Sequence, residues 1–173
     1  EWYVRDTSRK ITTVLKARGM SGKAHTTNRC CYGYKKSADN PDKWVIDEEA
    51  AEVVRRIFNM CLNGKGPYQI ARELAEDKVE RPEYYLGIRG RGVNTKSFDM
   101  EHPYMWRGGT VKTILTRMEY TGCTVNFRTK KESYKDKRPT KVDSSEWIIF
   151  EDTQEPIIDK HTWETVQKLL DTP

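Results

Sequence analysis

The apolar residues of this chain fall into short stripes with helical spacing, and this pattern limits the fold to small packed helices. The most regular stripe lies between Asp47 and Gly64, where apolar side chains recur at i, i+3, i+4 and i+7. Asp47 is expected to cap the helix, two glutamates follow in its first turn, and Gly64 ends it. The stripe consists of Ala50, Val53, Val54, Ile57, Phe58, Cys61 and Leu62.

Four other stretches have weaker helical periodicity. They are residues 2–18, with Val4, Ile11, Val14 and Leu15; residues 68–77, with Ile70, Ala71, Leu74 and Ala75; residues 110–120, with Val111, Ile114, Leu115 and Met118; and the residues after the expected cap Asp159, with Trp163, Val166, Leu169 and Leu170 inward. The second and third have the lengths and faces of a helix-turn-helix pair with an expanded connection.

Short strands and long polar stretches separate these helices. Residues 32–36 and 43–46 flank a turn-rich run and predict a hairpin, and residues 123–127 and 147–150 predict two more strands. Residues 78–109 are rich in Gly and Pro with little periodicity, and residues 128–141 are too polar for a core, so both are expected to be long loops. The predicted fold class is therefore α+β and mostly helical, with a helix-turn-helix-like core, short β-hairpins and long basic loops.

Composition narrows the class of protein. The 173 residues suffice for one domain or two small ones, and a mean hydropathy of -0.86 is polar, yet five Trp, nine Tyr and four Phe argue against disorder. No apolar run is long enough to span a membrane and no signal region begins the chain, so we expect a soluble, intracellular protein without a membrane partner.

The residue types that carry metal or catalytic chemistry are sparse and poorly spaced. The cysteines, Cys30, Cys31, Cys61 and Cys123, lack the two close pairs of a structural zinc site, and the three histidines share no ligand spacing. The glycine-rich run 87–92 follows no predicted strand, so it supports a phosphate loop only weakly. We therefore predict no catalytic residue, no metal and no cofactor.

Charge alternates strongly along the chain within a total of +5. Residues 1–36 carry a net +7, residues 37–80 carry -4, residues 81–141 carry +8, and residues 142–173 carry -6. Two basic blocks separated by acidic ones suggest a surface for a polyanion, although charge runs are more often solvated faces.

In the second block, residues 110–120 carry short polar and basic side chains opposite their apolar stripe, which suits the major groove of DNA. Periodicity alone favours an ordinary surface helix.

An ordered set of motifs along nearly the whole chain resembles the recombinase domain of large serine recombinases. The set comprises Ser8-Arg9-Lys10-Ile11, Gly22-Lys23, Tyr32-Gly33-Tyr34, Trp44-Val45-Ile46-Asp47-Glu48-Glu49-Ala50, Val54-Arg55-Arg56-Ile57-Phe58, Gly66-Pro67-Tyr68-Gln69-Ile70-Ala71, Leu74, Trp106, Thr110-Val111, Ile114-Leu115, Tyr120-Thr121-Gly122, Glu155-Pro156-Ile157-Ile158 and Trp163. Each motif is loose, but their order is specific.

The resemblance implies a domain organisation and a function. Residues 1–20 would end the long helix of a catalytic domain, residues 21–31 would be a basic arm, and residues 32–173 would form the DNA-binding domain. The catalytic and zinc-ribbon domains, the serine that cuts and rejoins attachment-site DNA, and the parts through which the parent assembles on DNA would lie outside this chain. The chain itself would be a non-enzymatic monomer that binds double-stranded DNA in the bacterial cytoplasm, at the nucleoid.

The resemblance also implies residue roles. The major-groove residues would be Thr110, Lys112, Thr113, Thr116 and Arg117; the arm residues at the minor groove would be Lys23, Thr26, Thr27 and Arg29; and the phosphate contacts would be Lys65, Tyr68, Gln69, Arg72 and Arg107.

Two other functions fit the same sequence features. The helix pair could belong to a stand-alone helix-turn-helix transcriptional regulator, which would require a parent gene without an upstream catalytic domain. Alternatively, the basic loops could meet an acidic protein partner, in which case a protein ligand would bind and DNA would not.

Overall fold

The computed structural model describes residues 2–23, 29–91, 99–131 and 135–171. Within these ranges there are six helices and six short strands, and four of the helices follow one another without a strand between them. The helices are α1 (Trp2–Met20), α2 (Glu48–Leu62), α3 (Pro67–Glu76), α4 (Pro82–Ile88), α5 (Gly108–Leu115) and α6 (Lys160–Asp171). The strands are β1 (Tyr34–Lys36), β2 (Trp44–Ile46), β3 (Thr124–Asn126), β4 (Thr129–Lys130), β5 (Thr140–Lys141) and β6 (Ile148–Phe150). The expected α+β, mostly helical class is confirmed.

The strands pair in antiparallel twos, β1 with β2, β3 with β6 and β4 with β5. The first two pairs confirm the hairpin predicted at 32–46 and the strands predicted at 123–127 and 147–150. The third pair lies inside residues 128–141, which were expected to be loop throughout. Two residues per strand are too few to produce a recognisable alternation in the sequence.

Helix α2 lies at the centre of the core and confirms the strongest sequence pattern. Its stripe is buried except at Val53, which is half-buried, and Leu62, which is exposed at the last turn. Helices α3, α5 and α6 pack against it. The side chains that they bury beside it include Ile70, Leu74, Val111, Leu115 and Val166. Each such burial stabilises the fold by about 1.5–3 kcal/mol.

The expected loop 78–109 contains a helix that the sequence analysis missed. Helix α4 begins with Pro82 at its first position, and its Tyr85 is buried. The indole of Trp106 donates a hydrogen bond to the carbonyl of Val79 at 2.8 Å, which holds the two ends of the segment together. Seven residues are fewer than the 11–18 that periodicity needs, so the helix left no readable pattern.

The helix predicted at 110–120 is shorter than expected, because α5 ends at Leu115 and a 3₁₀ turn, Met118–Thr121, follows it. This turn directs Tyr120 into the core, where its hydroxyl donates to the carbonyl of Tyr32 at 2.6 Å. Met118, predicted in the buried stripe of one continuous helix, is therefore only half-buried. In α6, Leu169 was likewise expected inward and is exposed, while Val166 is fully buried.

Helix α1 extends two residues beyond the predicted 2–18, and Val4, Ile11 and Val14 are exposed along it. A buried amide holds the end of this helix against β3. Asn126 of β3 donates to the carbonyl of Gly19 at 3.0 Å and to the carbonyl of Lys23 at 2.8 Å.

Gly122, which follows the turn after α5, and Gly64, which follows α2, both have left-handed backbone, and comparing them tests how closely the chain packs at Gly122. Gly64 has φ +85° and open space around it, whereas a Cβ at Gly122, φ +91°, would lie 2.7 Å from the carbonyl oxygen of Gln154. We expect Gly64→Ala to lower the free energy of unfolding by about 1–2 kcal/mol, the cost of left-handed backbone. Gly122→Ala should cost roughly 1–3 kcal/mol more, because the backbone must also move. Urea unfolding measures both, and equal losses would contradict the close approach.

Candidate nucleic-acid interface

The N-termini of α3 and α5 meet at a close contact between Gly108 and the ring of Tyr68. A Cβ built on Gly108 would lie 2.7 Å from Cδ1 of Tyr68, so the tyrosine ring lies directly against the first residue of α5. The other side of this ring faces solvent, and Tyr68 is 82% exposed. Gln69 accepts a hydrogen bond from the backbone N–H of Gly66 at 3.1 Å, which completes the start of α3. An exposed aromatic ring therefore marks the junction of the two helices.

The outer face of α5 is short-chained and polar, as the sequence predicts. Lys112, Thr113 and Thr116 are exposed, while Val111, Ile114 and Leu115 are buried on the opposite face. Each threonine hydroxyl donates to a carbonyl one turn earlier, Thr113 to Gly109 and Thr116 to Lys112, both at 2.9 Å. Their oxygens can still accept hydrogen bonds from a ligand.

Thr110 and Arg117 lie apart from that face. Thr110 is half-buried and lines an open cleft between the starts of α4 and α5, together with Arg81, Glu83 and Arg107. Arg117 follows the end of α5 with extended backbone, φ -82° and ψ 109°, and is half-buried. It was expected on the same helical face as Thr113 and Thr116, which was wrong because α5 ends two residues earlier.

Arg117 also affects the interior electrostatically. Burial raises the pKa of the Cys31 thiol to about 12, and the positive charge of Arg117 opposes that rise. The guanidinium is therefore close enough to the core to act on Cys31. A thiol with so high a pKa stays protonated at neutral pH and is a poor nucleophile.

The cations of α3 and α5 differ in how they are paired. Lys65, just before α3, lies 2.6 Å from Glu73, and Arg72 of α3 lies 3.9 Å from Glu76. Arg107, Lys112 and Arg117, in and around α5, form no ion pair with any carboxylate in the described ranges. Positive charge is therefore uncompensated around α5 and largely balanced on α3.

The first residues of the expected arm are folded against the domain. Residues 21–23 form a turn rather than an extended segment, because Gly22 adopts φ +82° and Asn126 binds the Lys23 carbonyl. The Lys23 ammonium lies 3.0 Å from Asp42, which also binds Arg18 at 2.6 Å. The hydrogen bond from Lys23 is the main cause that lowers the pKa of Asp42. Arg29 is exposed, and Thr26 and Thr27 lie outside the described residues.

The sequence did not predict a polar cluster around the buried side chains of Asp47 and Tyr85. Asp47 occupies the N-cap position of α2, but its side chain makes no capping hydrogen bond. Instead its carboxylate accepts from the hydroxyl of Tyr85 at 3.0 Å and from Arg91 at 2.5 Å. Arg89 lies 3.7 Å from the centre of the Tyr85 ring and pairs with Glu49 at 3.1 Å. The cluster ties the segment containing α4 to the start of α2.

No sequence signal pointed to this cluster, because Asp47 and Tyr85 are 38 residues apart and an aspartate before a helix is a normal cap. Burial, followed by the hydrogen bond to Asp47, raises the pKa of Tyr85 to about 12. The hydroxyl therefore remains a donor throughout the neutral range.

None of the helices in the described ranges combines the length and the apolar character that crossing a membrane requires. Over the same ranges, no three His, Cys, Asp or Glu side chains are grouped so that they could hold a metal ion.

Comparison with families of known proteins matches residues 48–173, more than half of the chain, to the family described as Recombinase. Among solved structures, one described as "Crystal Structure of a LSR-DNA Complex" is 20% identical, with a TM-score of 0.47, over 93% of this chain and 38% of that chain. Another, described as "Sequence Requirements of the Listeria innocua prophage attP site", is 18% identical, with a TM-score of 0.45, over 92% of this chain and 50% of that chain. The chain thus spans half or less of these two proteins.

Removing one hydroxyl tests the cluster around Asp47 and Tyr85. Tyr85→Phe deletes a donor to the charged Asp47, and we expect it to lower the free energy of unfolding by about 1.5–3 kcal/mol. Tyr104→Phe is the matched control, since Tyr104 is exposed and its hydroxyl makes no hydrogen bond to the described residues. Denaturant unfolding of both variants at neutral pH gives the comparison. A Tyr85→Phe variant as stable as Tyr104→Phe would show that the cluster does not support the fold.

Proposed function

This chain belongs to the Recombinase family, and we propose that its role there is to bind double-stranded attachment-site DNA and to position it for strand exchange. The family agrees with the resemblance carried by the sequence motifs. The observation that carries the proposal is the outer face of α5, where Lys112, Thr113 and Thr116 are exposed. Arg107 and Arg117 lie beside this face and form no ion pair with a carboxylate of the described residues.

The shape of α5 suits a groove of duplex DNA. Its eight residues make a helix about 12 Å long, and the major groove is wide enough for such a helix to enter. The buried face is used entirely for packing, so the outer face is available without disturbing the core. Lysine can bind guanine O6 and N7, and threonine methyls can contact thymine methyls.

The charge distribution favours a polyanion at the same place. Arg107 lies at the start of α5 and Arg117 just after its end, so both add positive charge beside Lys112, Thr113 and Thr116. Lys65 and Arg72 would exchange Glu73 and Glu76 for DNA phosphates. That exchange costs little, because exposed ion pairs contribute only about 0–1 kcal/mol.

Tyr68 and Gln69 are accessible for the predicted phosphate contacts, whereas the arm must first lose an ion pair. Tyr68 is exposed beside the start of α5, and Gln69 can contact a phosphate through its amide nitrogen while its oxygen holds Gly66. Lys23 would have to leave Asp42 before it could contact a minor groove. The arm, with Arg29, Thr26 and Thr27, is therefore proposed to bind DNA only after this ion pair opens.

The chain is proposed to act as one part of a longer recombinase. Residues 1–20 would continue a helix from a catalytic domain, residues 21–31 would follow DNA as the arm, and residues 32–173 would be the DNA-binding domain. Cutting and rejoining of strands by a serine, and assembly of the recombinase on DNA, would be carried out by other domains.

Salt dependence tests the proposal directly. If the chain neutralises six phosphates, log K should fall against log salt with a slope of about -5, since each phosphate contributes roughly 0.9. The measurement is fluorescence anisotropy of a labelled mixed-sequence duplex at several salt concentrations. An affinity that salt does not change, or no affinity for duplex DNA, would refute DNA binding as the function.

Substitutions around α5 test which residues read bases. Lys112→Ala and Arg117→Ala should each weaken binding to a duplex selected from a random pool more than to its scrambled counterpart, by about 1–3 kcal/mol of discrimination. Lys160→Ala on α6 removes one exposed positive charge away from the proposed contacts and should leave the discrimination unchanged. Anisotropy titrations at one fixed salt concentration give the values. Equal losses on both duplexes would make the substituted residue a phosphate contact.

A further inference from the structure

The strands β4 and β5 form an exposed two-stranded ribbon that takes no part in the core. Thr129 pairs with Lys141, and Lys130 pairs with Thr140. All four residues are exposed. Cross-strand partners share a face of the ribbon, so each face carries one lysine opposite one threonine.

The ribbon and its connection are strongly basic. The described residues 129–131 and 135–141 contain six cations and one acid, namely Lys130, Lys131, Lys135, Lys137, Arg138 and Lys141 against Asp136. Lys130, Arg138 and Lys141 form no ion pair with a carboxylate of the described residues. Lysine on an exposed strand also prevents edge-to-edge association. That purpose does not account for Lys137 and Arg138, which lie outside the strands.

Side-chain contacts attach the base of the ribbon to the turn that follows α5. Arg128 pairs with Glu119 of that turn at 2.8 Å, and Glu119 is only 7% exposed. The Arg128 guanidinium also lies 4.9 Å from the centre of the Trp147 ring. The Trp147 indole in turn donates to the carbonyl of Val142 at 3.1 Å, immediately after β5. Both strands of the ribbon are therefore held at their base.

The same base adjoins the end of α1. Asn126, two residues before Arg128, donates to the carbonyls of Gly19 and Lys23. The ribbon thus begins between the start of the arm and the turn after α5. The arm and Arg117, which precedes that turn, are proposed DNA contacts, so a basic element between them would lie beside the phosphate backbone that separates the two grooves.

We propose that the β4–β5 ribbon is a further binding site for duplex DNA, one that contacts backbone phosphates without reading bases. The inference rests on the proposed function, because it assumes that α5 and the arm meet the same duplex. The ligand group is the phosphodiester, and the contacts come from Lys130, Arg138 and Lys141.

The test removes three charges from the ribbon and three from a matched hairpin. The ribbon variant is Lys130→Gln/Arg138→Gln/Lys141→Gln. The control is Lys35→Gln/Lys36→Gln/Lys43→Gln, which takes the same charge from exposed positions on and beside the β1–β2 hairpin. Both are titrated with the labelled mixed-sequence duplex over a range of salt, and circular dichroism melting confirms that each is folded.

We expect the salt slope of the ribbon variant to be smaller in magnitude by about 3, from roughly 0.9 per lost phosphate contact. The control should keep the slope of the unsubstituted chain. Affinity of the ribbon variant should fall equally on the selected duplex and on its scrambled counterpart. A variant with Lys130→Arg/Lys141→Arg should bind like the unsubstituted chain, because charge is retained.

Four results would overturn the inference. The ribbon variant could keep the full slope while the unsubstituted chain binds duplex, which would leave the proposed function standing. The ribbon and control variants could lose affinity equally, which would make the effect one of net charge. The ribbon variant could lose discrimination, which would indicate base contacts. It could instead change only self-association in analytical ultracentrifugation, which would indicate a protein partner. If the unsubstituted chain binds no duplex, the proposed function itself fails.

Discussion

The whole arrangement depends on the burial of one helical stripe, the apolar face of α2. Helix α5 has only eight residues, and helices of that length are not stable alone in water. It persists because Val111, Ile114 and Leu115 are buried in the core that α2 and α3 share. The polar face that we propose for DNA binding is therefore a consequence of packing on its other side.

Buried polar contacts then fix the segments between the helices. The hydroxyl of Tyr34 donates to the carbonyl of Glu155, and that of Tyr120 to the carbonyl of Tyr32, both at 2.6 Å. With the bond from Tyr85 to Asp47, they link stretches far apart in the sequence. An unpaired buried polar group costs about 1–3 kcal/mol, so these bonds make the loop positions specific. The positions of the exposed side chains on these segments therefore depend on the buried hydrogen bonds.

The sequence alone determined most of the helices, two of the strand pairs and the family of this protein. The spacing of apolar residues predicted α2, α3, α6 and the outer face of α5 at Lys112, Thr113 and Thr116, because helical periodicity is a local property. The hairpin β1–β2 and the β3–β6 strands followed from alternation and turn residues. The ordered motifs identified the family, since each motif combines local turn and helix signals in a fixed order.

Only the tertiary structure decided the contacts that polar and charged side chains make with residues far away in the sequence. Whether Asp47 caps α2 or binds Tyr85 and Arg91 depends on where a segment 38 residues away packs. Whether Lys23 is a free charge depends on Asp42, and the position of Arg117 depends on Tyr120 entering the core. A residue's chemical type sets which contacts it can make, and long-range packing selects among them, so these outcomes could not be taken from local patterns.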